Sequence, residues 1–316
     1  MGMRNRSFTG PGSGRVRRLV WLPVGAVLFL VGCASAPLPR PEPPIPPPVA
    51  IVPPPKPAPR IGLALGGGAA RGFAHVGVIQ VLEEAGVRPS FVIGTSAGSL
   101  VAAIYASGRT GAQLQQIAED MEEASLTDWT LPMFRRGMLR GDALARYVNQ
   151  QVGMRPIEAM EIALGIVATD LNSGDSVVFR RGDTGLAVRA SSAIPALFQP
   201  VRIGGRDYVD GGLVAPVPVR FAREMGADFV IAVDISSPPQ GGGADGMLQV
   251  LMQTFSIMGK SINALELRGA DIVVRPILTD VGSTDFAARR RSIEAGRTAM
   301  LAAWPAFKTQ LARSIR

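Results

Sequence analysis

Over residues 60–316 the chain alternates short apolar runs with segments whose apolar residues recur at helical spacing. The short runs, which end in glycine or polar residues, predict buried strands at RIGLALGGG, PSFVIG, ALGIVATDL, SVVFR, DFVIAVDI and DIVVRPI. The helical spacing predicts helices at FAHVGVIQVLEEAG, Ser99–Ser107, PVRFAREMG and Ser292–Arg313. This alternation predicts an α/β fold, with a mostly parallel central sheet and helices on both faces.

Two further segments have patterns that suit more than one structure. MLQVLMQTFSIMGKSINAL carries an amphipathic stripe, with apolar residues at 247, 248, 251, 255, 258, 262 and 265. The stripe favours a core-packed helix, and a lid or acyl-contacting helix is the alternative. The composition of WTLPMFRRG, from Trp129 to Gly137, suits docking on an anionic lipid surface, and a partly buried connection fits equally well.

The first 32 residues have the order of a secretory signal peptide. Five arginines and no acidic residue lie within residues 1–18, and the apolar run that follows is short for a membrane-spanning helix. That run ends at Leu30-Val31-Gly32-Cys33, which resembles a bacterial lipobox, and Cys33 is the single cysteine. We therefore expect lipidation of Cys33 and a firm membrane anchor. A buried or incidental cysteine is the alternative.

A proline-rich linker follows Cys33 and spans residues 33–59. Thirteen of the 23 residues from Pro37 to Pro59 are proline, a composition that cannot form a packed core and favours an extended spacer. The linker would hold a domain formed by residues 60–316 away from the anchor. A ligand for a proline-binding module is the alternative.

The charge of the chain gives little support for nucleic-acid binding. The formal net charge is +8, and removing the five arginines of residues 1–18 from that value leaves +3. No zinc-finger spacing, lysine-rich run or interleaving of aromatic and basic residues supports a nucleic-acid partner. Neither metal ligands at a recognisable spacing nor a calcium loop occurs, so we predict no metal and no cofactor.

The stretch FVIGTSAGSL places Ser96 between Gly94 and Gly98 in the pattern G-x-S-x-G. Here the pattern falls between a predicted strand and a predicted helix, which is the context of a nucleophile elbow. The glycines remove side chains that would clash at a tight turn, and a helix N-terminus favours developing negative charge. Ser96 is therefore the candidate nucleophile.

A second glycine-rich segment, GGGAARG, follows the first predicted strand. Its backbone N–H groups and one basic side chain suit an oxyanion hole, formed by Gly66, Gly67, Gly68, Arg71 and Gly72. Phosphate binding fits less well because the lysine and hydroxyl residue that end a P-loop are missing. A tight strand–helix turn with no further role is the third interpretation.

A serine nucleophile needs a base, and His75 is the single histidine of the chain. His75 comes early, among apolar residues, which favours a structural role over a place in a catalytic triad. A carboxylate is then the remaining candidate. Asp210, followed by Gly211 and Gly212, can accept the serine proton if burial raises its pKa. An ordinary Asp-Gly-Gly turn is the alternative.

Taken together, these motifs resemble the patatin-like phospholipases. The resemblance rests on residues 66–72, residues 94–98 and Asp210-Gly211-Gly212, and VATDLNSGDSVVF and ASSAIPALFQPV are similar to the bacterial branch. It covers most of residues 60–235. It implies a three-layer patatin-like sandwich and a Ser96–Asp210 dyad, in which Ser96 forms an acyl-enzyme and Asp210 activates the hydrolytic water.

The function expected from this resemblance is hydrolysis of acyl esters of phospholipids or lysophospholipids, with membrane lipid as substrate. The alanine after Cys33 is similar to lipoproteins sent to the outer membrane, so we expect its periplasmic face. Two alternatives stay open. One is a non-catalytic lipoprotein that binds lipid or tethers envelope partners, and the other is an esterase or thioesterase with a different substrate.

Overall fold

The computed structural model of the chain describes residues 58–122, 128, 137–236, 246–282 and 284–315. Every element below belongs to one compact unit, Pro54–Arg316. The predicted signal peptide, Cys33 and the linker up to residue 57 lie outside the described residues, as do residues 129–136.

The six predicted strands and the four predicted helices are all confirmed. The strands of the described ranges are β1 (Ile61–Leu65), β2 (Phe91–Thr95), β3 (Gly137–Leu139), β4 (Ala163–Asp170), β5 (Ser176–Phe179), β6 (Ala196–Phe198), β7 (Val201–Ile203), β8 (Arg206–Asp210), β9 (Phe229–Val233) and β10 (Ile272–Val274). The α-helices are α1 (Ala74–Glu84), α2 (Ala97–Ala106), α3 (Gly111–Asp120), α4 (Asp142–Gln151), α5 (Thr184–Ser191), α6 (Val219–Glu224), α7 (Met247–Glu266) and α8 (Arg289–Ile315). Short 3-10 turns include Ala69–Phe73 and Gly211–Leu213.

Eight strands form the main sheet in the order β10-β9-β1-β2-β4-β8-β7, with β5 also paired to β4. Neighbours from β10 to β4 are parallel, whereas β5, β8 and β7 join in antiparallel pairs. The strands β3 and β6 pair separately. The predicted mostly parallel sheet is confirmed.

The two faces of the sheet support separate hydrophobic cores. Leu63 and Leu65 of β1 pack in a large core with residues of α1, α2 and α8. Ala64, which lies between them, points to the other face and packs with residues of α6. This alternation, which follows from the two-residue period of a strand, produces three layers with helices on both sides of the sheet.

One edge of β4 is shared by two strands. Thr95, the last residue of β2, pairs with Val167, and Asp210, the last residue of β8, pairs with the next residue, Ala168. Both partners lie on the same edge because β5 occupies the other edge over Ile166–Thr169. The residue that follows Thr95 is therefore brought next to Asp210, although 114 positions separate Ser96 from Asp210.

Helix α7 differs from the core-packed helix that the sequence pattern favoured, so that expectation was wrong. Among the apolar positions of the stripe, Met247 is 90% exposed, Met258 44% and Leu265 67%. Leu251, Phe255 and Ile262 of the stripe are half-buried, and the fully buried positions of the helix are Gly259 and Asn263. An amphipathic stripe does not specify whether its apolar side faces the protein.

The described residues contain neither a candidate membrane-spanning helix nor a candidate metal-binding cluster. No helix in these ranges is long and apolar enough to cross a bilayer. Likewise, no group of three or more histidine, cysteine, aspartate or glutamate side chains within them could hold a metal ion.

Candidate active site

Ser96 occupies the sharp turn between β2 and α2. Its φ of 53° and ψ of −124° lie outside the ordinary regions for a residue with a side chain, as expected for a strained nucleophile elbow. The turn depends on close backbone approach at two glycines. A Cβ at Gly94 would lie 2.4 Å from the carbonyl oxygen of Gly98, and one at Gly98 would lie 2.2 Å from that of Leu65.

The Ser96 hydroxyl donates a hydrogen bond to Asp210 Oδ2 at 2.8 Å. Ser96 is 8% exposed and Asp210 is 5% exposed, so both side chains are largely removed from water. The other carboxylate oxygen, Oδ1, accepts the backbone N–H of Gly212 at 2.7 Å. The structure thus brings together the predicted nucleophile and the predicted base.

Burial raises the pKa of Asp210 from its ordinary value to about 6, although the hydrogen bonds from Gly212 and Ser96 act in the opposite direction. A carboxylate with that pKa is ionised at neutral pH and is a stronger base than an exposed aspartate. A pKa near the operating pH is what general base catalysis requires.

The backbone of Asp210 is held at both ends of the residue. Its carbonyl oxygen accepts the Thr169 hydroxyl at 2.8 Å, and its N–H donates to the Ala193 carbonyl oxygen at 3.0 Å. Thr169 belongs to β4, and Ala193 follows α5. The carboxylate is consequently fixed by two elements besides its own strand.

Ser191, the last residue of α5, supports the nucleophile and was not identified from the sequence. Its fully buried hydroxyl accepts the Ser96 N–H at 2.8 Å and donates to the Val167 carbonyl oxygen at 2.5 Å. This bridge ties the strained turn to β4. Ser191 lies in ASSAIPALFQPV, so the resemblance marked the segment but assigned no role to this hydroxyl.

We expect Ser191→Ala to lower kcat by about 10- to 100-fold with little change in KM, because the buried Ser96 N–H loses its acceptor and the nucleophile loses its fixed position. Steady-state hydrolysis of a soluble ester measures kcat and KM separately. Thr184→Val is the matched control, since it removes a buried hydroxyl bound to the Arg155 carbonyl at the other end of α5. Equal losses of kcat in the two variants would refute the positioning role.

The glycine-rich loop lies against the nucleophile, since a Cβ at Gly67 would be 3.2 Å from Ser96 Cβ. The N–H groups of Gly66 and Gly67, however, donate to the carbonyl oxygens of Val233 and Pro216. These two bonds hold the loop in place and leave neither group available to an oxyanion. Two of the predicted donors are therefore corrected to structural roles.

The backbone N–H groups near the nucleophile that have no acceptor among the described residues include those of Gly68 and Ala97. Ala97 follows the nucleophile, which is where an elbow places one oxyanion donor, while the loop supplies the other. Ala97 was not among the predicted donors, although its position directly after Ser96 is a sufficient signal in the sequence.

Arg71 and Gly72 contribute to the shape of the loop. The Arg71 Nε donates to the Gly68 carbonyl oxygen at 3.2 Å, and burial lowers the pKa of Arg71, opposed by the charge of Asp234. Gly72 permits close packing, because a Cβ there would lie 2.9 Å from the Cβ of Ala97.

His75 has the structural position that its sequence context favours. It is fully buried in α1, with its Nε2 2.8 Å from the Gly66 carbonyl oxygen, and burial lowers its pKa to about 4. The neutral ring therefore holds the glycine-rich loop by donating from Nε2. Asp210 occupies the place beside Ser96 where a histidine base would stand.

The comparison with protein families gives one matching description, patatin-like phospholipase, over residues 63–223. An uncharacterised NTE family protein of Mycobacterium tuberculosis is 36% identical over 207 residues, which cover 65% of this chain and 57% of that protein. Patatin-like phospholipase domain-containing protein 6 of Mus musculus is 35% identical over 185 residues, covering 56% of this chain and 14% of that one.

Among solved structures, that of VipD from Legionella pneumophila is similar in fold. Its TM-score is 0.55 at 15% sequence identity, and the match covers 79% of this chain and 67% of VipD. The chain spans about half the length of the mycobacterial relatives it matches and a small part of the mouse protein.

Proposed function

The chain belongs to the patatin-like phospholipase family, and we propose that it is a serine hydrolase that cleaves acyl esters of phospholipids or lysophospholipids. The observation that carries the proposal is the 2.8 Å hydrogen bond between the buried Ser96 hydroxyl and the Asp210 carboxylate. A lipid-binding or tethering protein would not need a strained serine paired with a base of raised pKa.

In the proposed reaction Asp210 takes the hydroxyl proton while Ser96 Oγ attacks the ester carbonyl. The carbonyl oxygen becomes negatively charged, and the free N–H groups of Gly68 and Ala97 are the candidates to stabilise it. The alcohol leaves with the proton from Asp210, which then accepts a proton from water as that water attacks the acyl-enzyme. The bond between Ser96 Oγ and the acyl carbon then breaks, the proton passes from Asp210 back to Ser96 Oγ, and the fatty acid leaves.

The pH dependence of this reaction follows from the pKa of Asp210, which burial raises to about 6. Because only the ionised carboxylate accepts a proton, we expect kcat/KM to rise about tenfold per pH unit below that value and to level off above it. The profile is measured on a soluble ester. A rate that stays flat through pH 6 would contradict Asp210 as the base.

The proposal is tested by a substrate panel and an active-site label. The panel compares a diacyl phospholipid, a lysophospholipid, a triacylglycerol and an acyl thioester, while a fluorophosphonate labels the nucleophile. Release of fatty acid from the first two supports the proposal, and selective cleavage of either of the others redirects it to that substrate. A folded protein that neither labels nor hydrolyses would favour lipid binding without catalysis.

We also propose that Cys33 is lipidated and anchors the protein to the periplasmic face of the outer membrane. The support is the order of basic residues, apolar run and cysteine, with alanine at position 34. Metabolic labelling with palmitate, compared with Cys33→Ser, tests the modification. Separation of inner and outer membranes tests the location, and recovery of the labelled protein in the inner membrane would contradict it.

A further inference from the structure

Helix α7 carries most of the exposed aliphatic surface of the described residues. Nine large hydrophobic side chains are exposed in those ranges, and five belong to this one helix. They are Met247, Val250, Ile257, Met258 and Leu265, with exposures from 44% to 90%. Single exposed apolar residues are common on proteins, whereas five along one face of a helix mark an interaction surface.

The side of α7 that faces the protein combines half-buried apolar residues, Phe255 and Ile262 among them, with small and polar ones. A Cβ at Gly259 would lie 3.6 Å from Pro216, and Asn263 is 4% exposed. Glu266 is buried in an ion pair with Arg220. Since these positions lie one turn apart along the helix, the five exposed apolar residues occupy a different side, turned away from the protein. The helix therefore keeps an apolar face in solvent in addition to the residues with which it packs.

The packed side of α7 lies beside the candidate active site. The helix packs on the 3-10 turn Gly211–Leu213, which begins directly after Asp210. Asn263 also lies 3.5 Å from Ser236, a residue that follows β9 at the end of the sheet where Ser96 and the glycine-rich loop are found. Material bound on the outward face would thus be separated from that turn by about 10 Å, the diameter of a helix.

The charges of α7 are suited to an anionic surface. Residues 247–269 contain three charged side chains, and the single acid, Glu266, is neutralised by Arg220. The two that are exposed, Lys260 and Arg268, are both positive. Aliphatic side chains flanked by cations are the composition of helices that lie in a lipid–water interface.

We propose that α7 docks this protein onto an anionic lipid surface and presents the dyad to acyl chains in that surface. This inference rests on the proposed function, because a lipid substrate explains why a helix with an exposed apolar face packs on the turn that follows Asp210. The occupant is a lipid surface and not a second copy, since the exposed charges of α7 are of one sign and would repel their own symmetry mates.

The test measures binding and catalysis separately in the Pro54–Arg316 unit, which contains the whole sheet and its cores. This unit omits the basic and apolar N-terminal segment and Cys33, which would bind vesicles on their own. Its cooperative thermal unfolding is checked first. Binding to phosphatidylcholine vesicles, with and without phosphatidylglycerol, is measured by co-sedimentation in the Ser96→Ala background, so that no lipid is consumed.

We expect the double variant Ile257→Ser/Leu265→Ser to weaken binding to anionic vesicles by at least about tenfold. With Ser96 intact, hydrolysis of a soluble short-chain ester stays unchanged while hydrolysis of vesicle lipid falls with binding. The matched control is Ile277→Ser/Leu301→Ser, which removes two exposed aliphatic residues outside α7 and leaves binding intact. Added salt is expected to weaken binding of the parent protein to anionic vesicles, because it screens the attraction between the lipid head groups and the positive charges of Lys260 and Arg268.

Unchanged vesicle binding in the α7 variant overturns the proposal, whatever the activity of the protein. Equal losses in the α7 variant and the control overturn it as well, as does self-association that the α7 substitutions abolish while vesicle binding persists. If α7-dependent binding is found but the protein hydrolyses no lipid, docking stands and the proposed function fails.

Discussion

Replacing Ser96 by alanine reduces kcat/KM for ester hydrolysis by about 10⁴-fold or more and abolishes labelling by a fluorophosphonate. The expected loss is this large because, in the proposed reaction, Ser96 Oγ attacks the carbonyl and carries the acyl group, and alanine offers the Asp210 carboxylate no hydroxyl in place of the one 2.8 Å away. Hydrolysis of a soluble ester and labelling of the folded protein measure it. Folding is expected to be intact, since alanine fits the space of serine.

The matched control for Ser96→Ala is Ser107→Ala. The two serines flank α2, one before its first residue and one after its last, and each is 8% exposed. The Ser107 hydroxyl donates to the Ile104 carbonyl oxygen and has no contact with the dyad. Both variants lose one serine hydroxyl, but only Ser96→Ala should lose activity. Retained hydrolysis in a pure Ser96→Ala protein would disprove the nucleophile assignment.

Replacing Asp210 by asparagine is expected to lower kcat by about 10³- to 10⁴-fold and, at neutral pH, to stabilise the fold. Asparagine can still accept the Gly212 N–H, but it cannot take a proton from Ser96. The stabilisation follows from the buried charge. Burial raises the pKa of Asp210 from 3.8 to about 6, so the native state holds its proton more tightly than the unfolded chain.

The contribution of Asp210 to the free energy of unfolding of the wild-type protein therefore falls as pH rises from 3.8 to about 6, and it stays constant at higher pH. By linkage the ionised carboxylate costs about 3 kcal/mol, which Asp210→Asn should recover above pH 6 and not near pH 4. Denaturant unfolding at the two pH values measures the difference. Asp207→Asn, on the same strand and similarly buried, is the control. A pH-independent difference would contradict the raised pKa.

The elements that carry local signals could be predicted from the sequence. Buried strands such as β1 end in glycine, α1 has apolar residues at helical spacing, and the elbow around Ser96 requires small neighbours over a few positions. These patterns are confined to short windows, so periodicity and turn chemistry are sufficient to recognise them. Asp210 was a candidate base from its own residues, and the family resemblance favoured that role over an ordinary Asp-Gly-Gly turn.

Features that depend on the pairing of distant strands could not be predicted. The sequence did not indicate that β8 would share an edge of β4 with β2, or that Ser191 would reach the Ser96 N–H from the end of α5. Likewise, the apolar spacing of α7 is the same whether that side faces the core or the solvent. Each of these features depends on contacts between residues that are far apart along the chain. Local sequence patterns carry no information about such contacts.

The shared edge of β4 makes catalytic competence a property of the completed fold. Neither β2 with its elbow nor β8 with its carboxylate holds the other reactive group, and they meet only when both have paired with adjacent positions of β4. A folding intermediate that lacks β8 would contain a formed nucleophile turn and no base. Such an intermediate would lack the base that the proposed reaction requires, so the proposed activity would arise only after β8 has paired with β4.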